Sequence, residues 1–129
     1  MNLGWVIHYV QDVAATLAFY EAAFGMERGK VTPGHEFGTL KTGETVLAFC
    51  SEQFLNEDGF IPFAPVRPGT TPHGAEIGLV TDDVAAAYTK AVAAGATPVI
   101  APKEKPWGQI VSYVRDLNGF LVEICSPIE

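Results

Sequence analysis

Residues 73–84 read HGAEIGLVTDDV and set a carboxylate, Glu76, near the start of what is otherwise a plain apolar strand. A glutamate there can ligate a metal, act as a general base, hook a cationic ligand or simply end a strand in water, and the sequence leaves these open. The other reactive side chains are sparse. His8, His35 and His73 are isolated from one another, and Cys50 and Cys125 each sit in an apolar strand. A reducing compartment favours two buried thiols over a disulfide for that pair. No glycine-rich phosphate loop, CxxC pair or GxSxG elbow is present. Asp116-Leu117-Asn118-Gly119 carries too few spaced acidic ligands for a calcium loop and reads as a turn.

Composition narrows the classes of partner. The 129 residues suit one ordinary domain, and 48% hydrophobic with 18% charged residues describes a globular chain. Eight Lys and Arg against fifteen Asp and Glu give a net charge of −7, which argues against nucleic acid and suits a cationic small ligand or plain solubility. No apolar run reaches the ~20 residues of a membrane helix. The opening Met1-Asn2-Leu3-Gly4 has no basic segment of the signal-peptide kind, so a cytoplasmic protein is expected.

The elements that position these groups come as a repeat. DVAATLAFYEAAFG at 12–25 resembles DVAAAYTKAVAAG at 83–95, each with an Asp to cap a helix and a Gly to end it. Val13, Leu17, Tyr20 and Phe24 form an apolar stripe, as do Val84, Tyr88, Ala91 and Val92. Strand-like runs precede the helices at 3–10 and 75–81; three more follow each, at 27–32, 36–41 and 45–51, then at 97–101, 109–115 and 120–125. The expected class is α+β: two βαβββ modules, 1–51 and 74–129 of one domain, joined by a connecting segment at 52–73. That segment, with Phe54, Phe60, Ile61 and Phe63, is too apolar for a free linker and should fold onto something.

The modules carry YVxDVxxxLxFYxxxFG (9–25), TDDVxxAYxxAVxxGA (81–96), KPWGQ (105–109) and VRDxxGxLVEI (114–124). On these motifs the chain resembles the vicinal oxygen chelate superfamily of glyoxalases, bleomycin resistance proteins and extradiol dioxygenases. The resemblance spans nearly the whole sequence and departs from the usual pattern at Leu117, where the family carries Pro. It implies cupped half-barrel sheets and metal ligands on the first and fourth strand of each module. Matched strand to strand, those positions are Trp5, Ala48, Glu76 and Glu123. Trp5 and Glu76 each lie seven residues before a capping Asp.

An indole N–H cannot ligate and Ala48 has nothing to offer, so the resemblance implies no family-type metal site and no cofactor; a divalent ion, if held, would use Glu76, Glu123 and His73. Strand parity turns His8 away from Trp5, and His35 falls in a turn. Glu76 and Glu123, brought together by the implied fold, would serve as an acid and base pair, as a seat for an amine or guanidinium, or as wet structural carboxylates. Trp5, Phe37, Phe49, Trp107 and Tyr113, with Glu76 and Glu123, are the expected ligand-binding residues. The first expectation is a small-molecule-binding protein of the bleomycin-resistance kind, acting as a homodimer. The second is a lyase or isomerase in which Glu76 or Glu123 moves a proton, with or without a weakly held ion.

Overall fold

A computed structural model describes residues 1–59 and 61–128. It has two compact units, Met1–Val66 and Arg67–Glu129. The connecting segment is therefore shared out between the units. Phe60, one of its apolar residues, lies outside the described residues.

In the first unit, β1 (Trp5–Val10), α1 (Val13–Phe24), β2 (Glu27–Val31), β3 (Phe37–Lys41) and β4 (Val46–Ser51) form a sheet of order β1-β4-β3-β2. β1 and β4 are parallel, and the remaining pairs are antiparallel. Asp12 caps α1 by accepting the Ala15 N–H at 2.9 Å, and Gly25 ends it at φ 65°, a left-handed conformation that glycine adopts without a Cβ penalty. The expected stripe packs inward: Val13, Leu17 and Tyr20 are buried against a sheet face bearing Leu40, Leu47 and Phe49. Gly38 is what lets the helix lie so close, since a Cβ there would stand 2.7 Å from Leu17 Cδ1.

The connecting segment opens with a helix that the sequence reading missed, α2 (Glu52–Asp58). Its signals are present: Ser51 accepts the Phe54 N–H at 3.2 Å, and Gly59 closes the helix at φ 64°. Leu55 and Val66 are buried, and the Phe63 ring meets Tyr9 edge-on with centroids 4.9 Å apart. The part of the segment up to Val66 packs within the first unit.

The second unit repeats the plan with β5 (Ile77–Val80), α3 (Val84–Ala93), β6 (Thr97–Glu104), β7 (Ile110–Arg115) and β8 (Leu121–Cys125), in the order β5-β8-β7-β6. Asp83 caps α3 by accepting from Ala86 N at 3.1 Å. β6 runs through Pro102 to Glu104, where the sequence suggested a break. β6 is the edge strand of its sheet, the place where proline is tolerated, and its register shifts on either side of Ile100. The 116–119 turn is tied tightly: Asp116 Oδ1 accepts the N–H groups of Asn118, Gly119 and Phe120 at 2.9 Å each. Arg115 donates to the carbonyls of Gly119, Pro68 and Arg67, fixing the start of this unit onto its last hairpin.

Candidate functional site

Parallel pairing of β5 with β8 sets Gly78 beside Glu123, and antiparallel pairing of β7 with β8 sets Tyr113 opposite Glu123. Glu76 lies two residues before Gly78, so alternation gives it the face that Glu123 and Tyr113 share. The opposite face carries Ser112, Val114, Val122 and Ile124, all buried, on the side that α3 covers. The register by itself therefore assembles two carboxyls and a phenol on one surface.

Glu123 is the acceptor at the centre. Tyr113 Oη donates to Glu123 Oε1 at 2.8 Å, and the Glu76 carboxyl also bonds to this carboxylate, with the Cys125 thiol nearby. Burial pushes Glu123 upward, but the neighbouring Glu76, Tyr113 and Cys125 groups and the charge of Lys105 outweigh it and hold the group below its ordinary value. Glu76 moves the other way, to about 7, through desolvation and then through the hydrogen bond and charge of Glu123. Tyr113 rises to about 12 because ionising it would destroy its bond to a carboxylate, with burial adding to the effect. Cys125 rises to about 11 through burial first and Glu123 second. Its thiol also lies 3.8 Å from the Leu79 carbonyl; protonated and hydrogen-bonded, it is no nucleophile.

The arrangement thus separates two chemically identical residues. Glu123 is a fixed negative charge, whereas Glu76 exchanges a proton near neutrality and still touches solvent. A proton shared between two carboxyls can be given to a substrate, taken from one, or displaced by a cation.

The hairpin between β6 and β7 borders this surface. Trp107 is 64% exposed, yet its Nε1 donates to Gln109 Oε1 at 3.0 Å. Gln109 is buried and donates in turn to the Ser126 carbonyl at 3.0 Å. A cleft of about 550 Å³ is lined here by Lys103, Glu104, Lys105, Pro106 and Gly108. The sequence reading gave no site role to Gln109, Lys105 or Cys125, although the KPWGQ motif contains the first two and Cys125 lies two residues from Glu123.

The remaining expected site residues are placed as follows. In the first unit Trp5 and Phe37 come together, ring centroids 6.0 Å apart, with Trp5 54% exposed. Phe49 is corrected: it is wholly buried on the α1 side, its ring 5.0 Å from that of Tyr20, and offers no surface to a ligand. Alternation is the reason, since its neighbour Ala48 pairs with Ile7 on the other face. His8 packs on Phe49 with centroids 6.2 Å apart, also on the helix side. His73 stands against Phe120 at 6.4 Å. Cys50 and Cys125 are both free and buried.

A metal centre of the implied kind does not fit the donors present. Trp5 and Ala48 supply none, and Glu76 and Glu123 are engaged with each other. Among the described residues no three His, Cys, Asp or Glu side chains are grouped to hold an ion. No described helix is long and apolar enough to cross a membrane.

Comparison with known proteins agrees with this architecture. An uncharacterised protein of Mycobacterium bovis is 31% identical over 125 residues, covering 92% of this chain and 79% of its own length. A Mycobacterium tuberculosis H37Rv counterpart, also uncharacterised, is 31% identical with 92% and 71% covered. Among solved structures, a glyoxalase-related enzyme from Fulvimarina pelagi superposes with a TM-score of 0.82 at 23% identity, over 98% of this chain and 88% of that one. A glyoxalase/bleomycin resistance protein/dioxygenase family enzyme from Burkholderia phytofirmans gives 0.76 at 22% identity, with 98% of both chains covered. The profile of one family matches residues 2–124, and with it the repeated βαβββ fold acquires its name: the chain belongs to the Glyoxalase/Bleomycin resistance protein/Dioxygenase superfamily.

Proposed function

We propose that this protein binds a small organic molecule carrying a positive charge, and that the charge is received by Glu76 and Glu123 without a metal of the family type. The observation that carries the reading is the carboxyl pair itself, one member held ionised by Tyr113 and the other holding a proton near neutrality. A cation arriving there replaces that proton and meets two negative charges, one of them on the half-buried Glu123, where Coulombic attraction exceeds its value in bulk water. The exposed Trp107 indole on the β6–β7 hairpin of the same unit suits a ligand whose cation belongs to, or adjoins, a flat ring.

Calorimetry tests this directly. N-methylquinolinium, titrated at pH 6.5 in buffers of different ionisation enthalpy, should release a fraction of a proton per molecule bound, and Glu123→Gln should weaken binding about tenfold or more. Binding without proton release, or unaffected by Glu123→Gln, would place the cation elsewhere.

A second reading is supported by the same proton. A carboxyl poised near 7 suits general acid and base work, so Glu76 could shuttle a proton in a lyase or isomerase reaction, with Glu123 fixing its charge. Deuterium exchange into a bound carbon acid, present in the wild type and lost in Glu76→Gln with binding retained, would favour it. We also propose a homodimeric assembly, supported by the exposure of Trp5, Ile7 and Val80, and tested by sedimentation equilibrium.

A further inference from the structure

We propose that Gln109 is a positioning residue: it locks the exposed Trp107 indole as a rigid wall against which a planar ligand stacks when its charge is held at Glu76 and Glu123. The proposal rests on the cation-binding reading above and adds a determinant of ligand shape to it.

An indole on a hairpin tip has no structural need to be held. Its apolar rings gain nothing from water, and an unattached tip would let the ring wander among rotamers. Here the ring's only polar atom is fastened. Trp107 Nε1 donates to Gln109 Oε1 at 3.0 Å, while Gln109 Nε2 donates to the Ser126 carbonyl at 3.0 Å, so both ends of one amide are committed. Gln109 is only 8% exposed, which makes this amide a fixed part of the sheet and not a surface contact. The backbone reinforces it. Lys105 N–H donates to the Gln109 carbonyl and Gly108 N–H to the Lys105 carbonyl, each at 2.8 Å, and Gly108 takes φ 91° to close the tip.

The same amide reaches toward the carboxyl pair. Gln109 bonds the Ser126 carbonyl, and Ser126 follows Cys125 at the end of β8, the strand that carries Glu123. Val111, two residues after Gln109, pairs with Cys125 as Tyr113 pairs with Glu123, so alternation turns the amide toward the same face of the second unit as the phenol and the carboxylate. A ligand meeting a ring already in place avoids the entropy of ordering it, which is how preorganisation strengthens binding.

The test uses the full chain with Trp5→Phe as background, so that Trp107 is the sole tryptophan. N-methylquinolinium serves as the planar cation and tetramethylammonium as a cation with no flat face. Gln109→Leu should lower the fluorescence anisotropy of Trp107 and weaken N-methylquinolinium about fivefold to tenfold, while tetramethylammonium changes less than twofold. Trp107→Phe, which keeps a ring but removes the N–H, should produce a similar loss while leaving the bond from Gln109 to Ser126 in place, and covers the case in which Gln109→Leu fails to fold. Trp107→Ala combined with Gln109→Leu should add nothing to Trp107→Ala alone. An unchanged anisotropy with an unchanged affinity for the planar cation in Gln109→Leu, or an unchanged affinity in Trp107→Phe, overturns the positioning role while leaving cation binding intact. Failure of both cations to bind the parent chain overturns the wall and the cation-binding reading together.

Discussion

Tyr113 and Glu123 face each other directly across β7 and β8, and the phenol donates to the carboxylate at 2.8 Å. The bond assigns the charge within the carboxyl pair. Replacing Tyr113 by Phe removes this donor to Glu123 without disturbing the ladder. The Glu123 carboxyl should then titrate at a higher pH, and the separation between the two carboxyl titrations should narrow. Carbon-13 NMR of the side-chain carboxyls measures both steps. Identical titrations in wild type and Tyr113→Phe would mean that the phenol is a bystander.

The pair also makes stability depend on pH, with a sign that differs between its members. Glu76 titrates at about 7 when folded against 4.5 ordinarily, so between these values the folded chain holds a proton that the unfolded chain has released. Its contribution is complete below about 4.5 and is lost as the pH rises through 7. Glu123 is lowered, so its contribution is present above its unfolded value of about 4.5 and is lost as the pH falls through the folded one. Glu76 is exposed, and solvent screening leaves its effect below about 1 kcal/mol. Melting temperature should therefore decline slightly from pH 5 to pH 8, and Glu76→Gln should flatten that slope. A slope unchanged by Glu76→Gln would assign the dependence to other groups.

Phe49 tests the correction made by the fold. A wall of a binding surface should tolerate truncation with a loss of affinity, whereas a wholly buried ring packed on Tyr20 should leave a cavity beneath α1. Phe49→Ala should cost about 3–5 kcal/mol of unfolding free energy, read by urea denaturation. Under conditions where it stays folded, the affinity for an aromatic cation should remain within twofold of wild type. A stable variant that binds poorly would return Phe49 to the site.

What could be read from the sequence divides along the range of the interactions. Asp12 and Asp83 announce their helices because capping is local, and the repeat around them gives both βαβββ modules. Glu76 and Glu123 were found as a pair by matching modules, and the register of Gly78 with Glu123 agrees with that placement. Phe49 was misplaced although the information was there: adjacent residues of a strand face opposite ways, so Ala48 and Phe49 cannot both line one surface. The α2 helix was overlooked because seven residues have too short a period to stand out. The Gln109 amide lay beyond reach for a different reason. Its two bonds, to Trp107 and to Ser126, depend on a hairpin and a strand end meeting in space, and nothing in the spacing of residues 105–126 specifies that.

The donor set leads to a last prediction, about metal ions. Two carboxyls that already share a proton offer a divalent cation four oxygens at most, and the ion must displace that proton and draw the rest of its shell from water. Manganese or zinc added to protein purified without chelators or affinity tags should therefore bind only in the high micromolar range or weaker. Binding should strengthen as the pH rises from 6 to 8, because Glu76 is then ionised. Introducing a histidine at the position of Ala48 leaves this unit's donors unchanged, so Ala48→His should alter the affinity only if the first sheet contributes to the same ion. Near-stoichiometric retention of one metal through gel filtration in the wild type would contradict this account, and Glu123→Gln would then show whether the pair holds it.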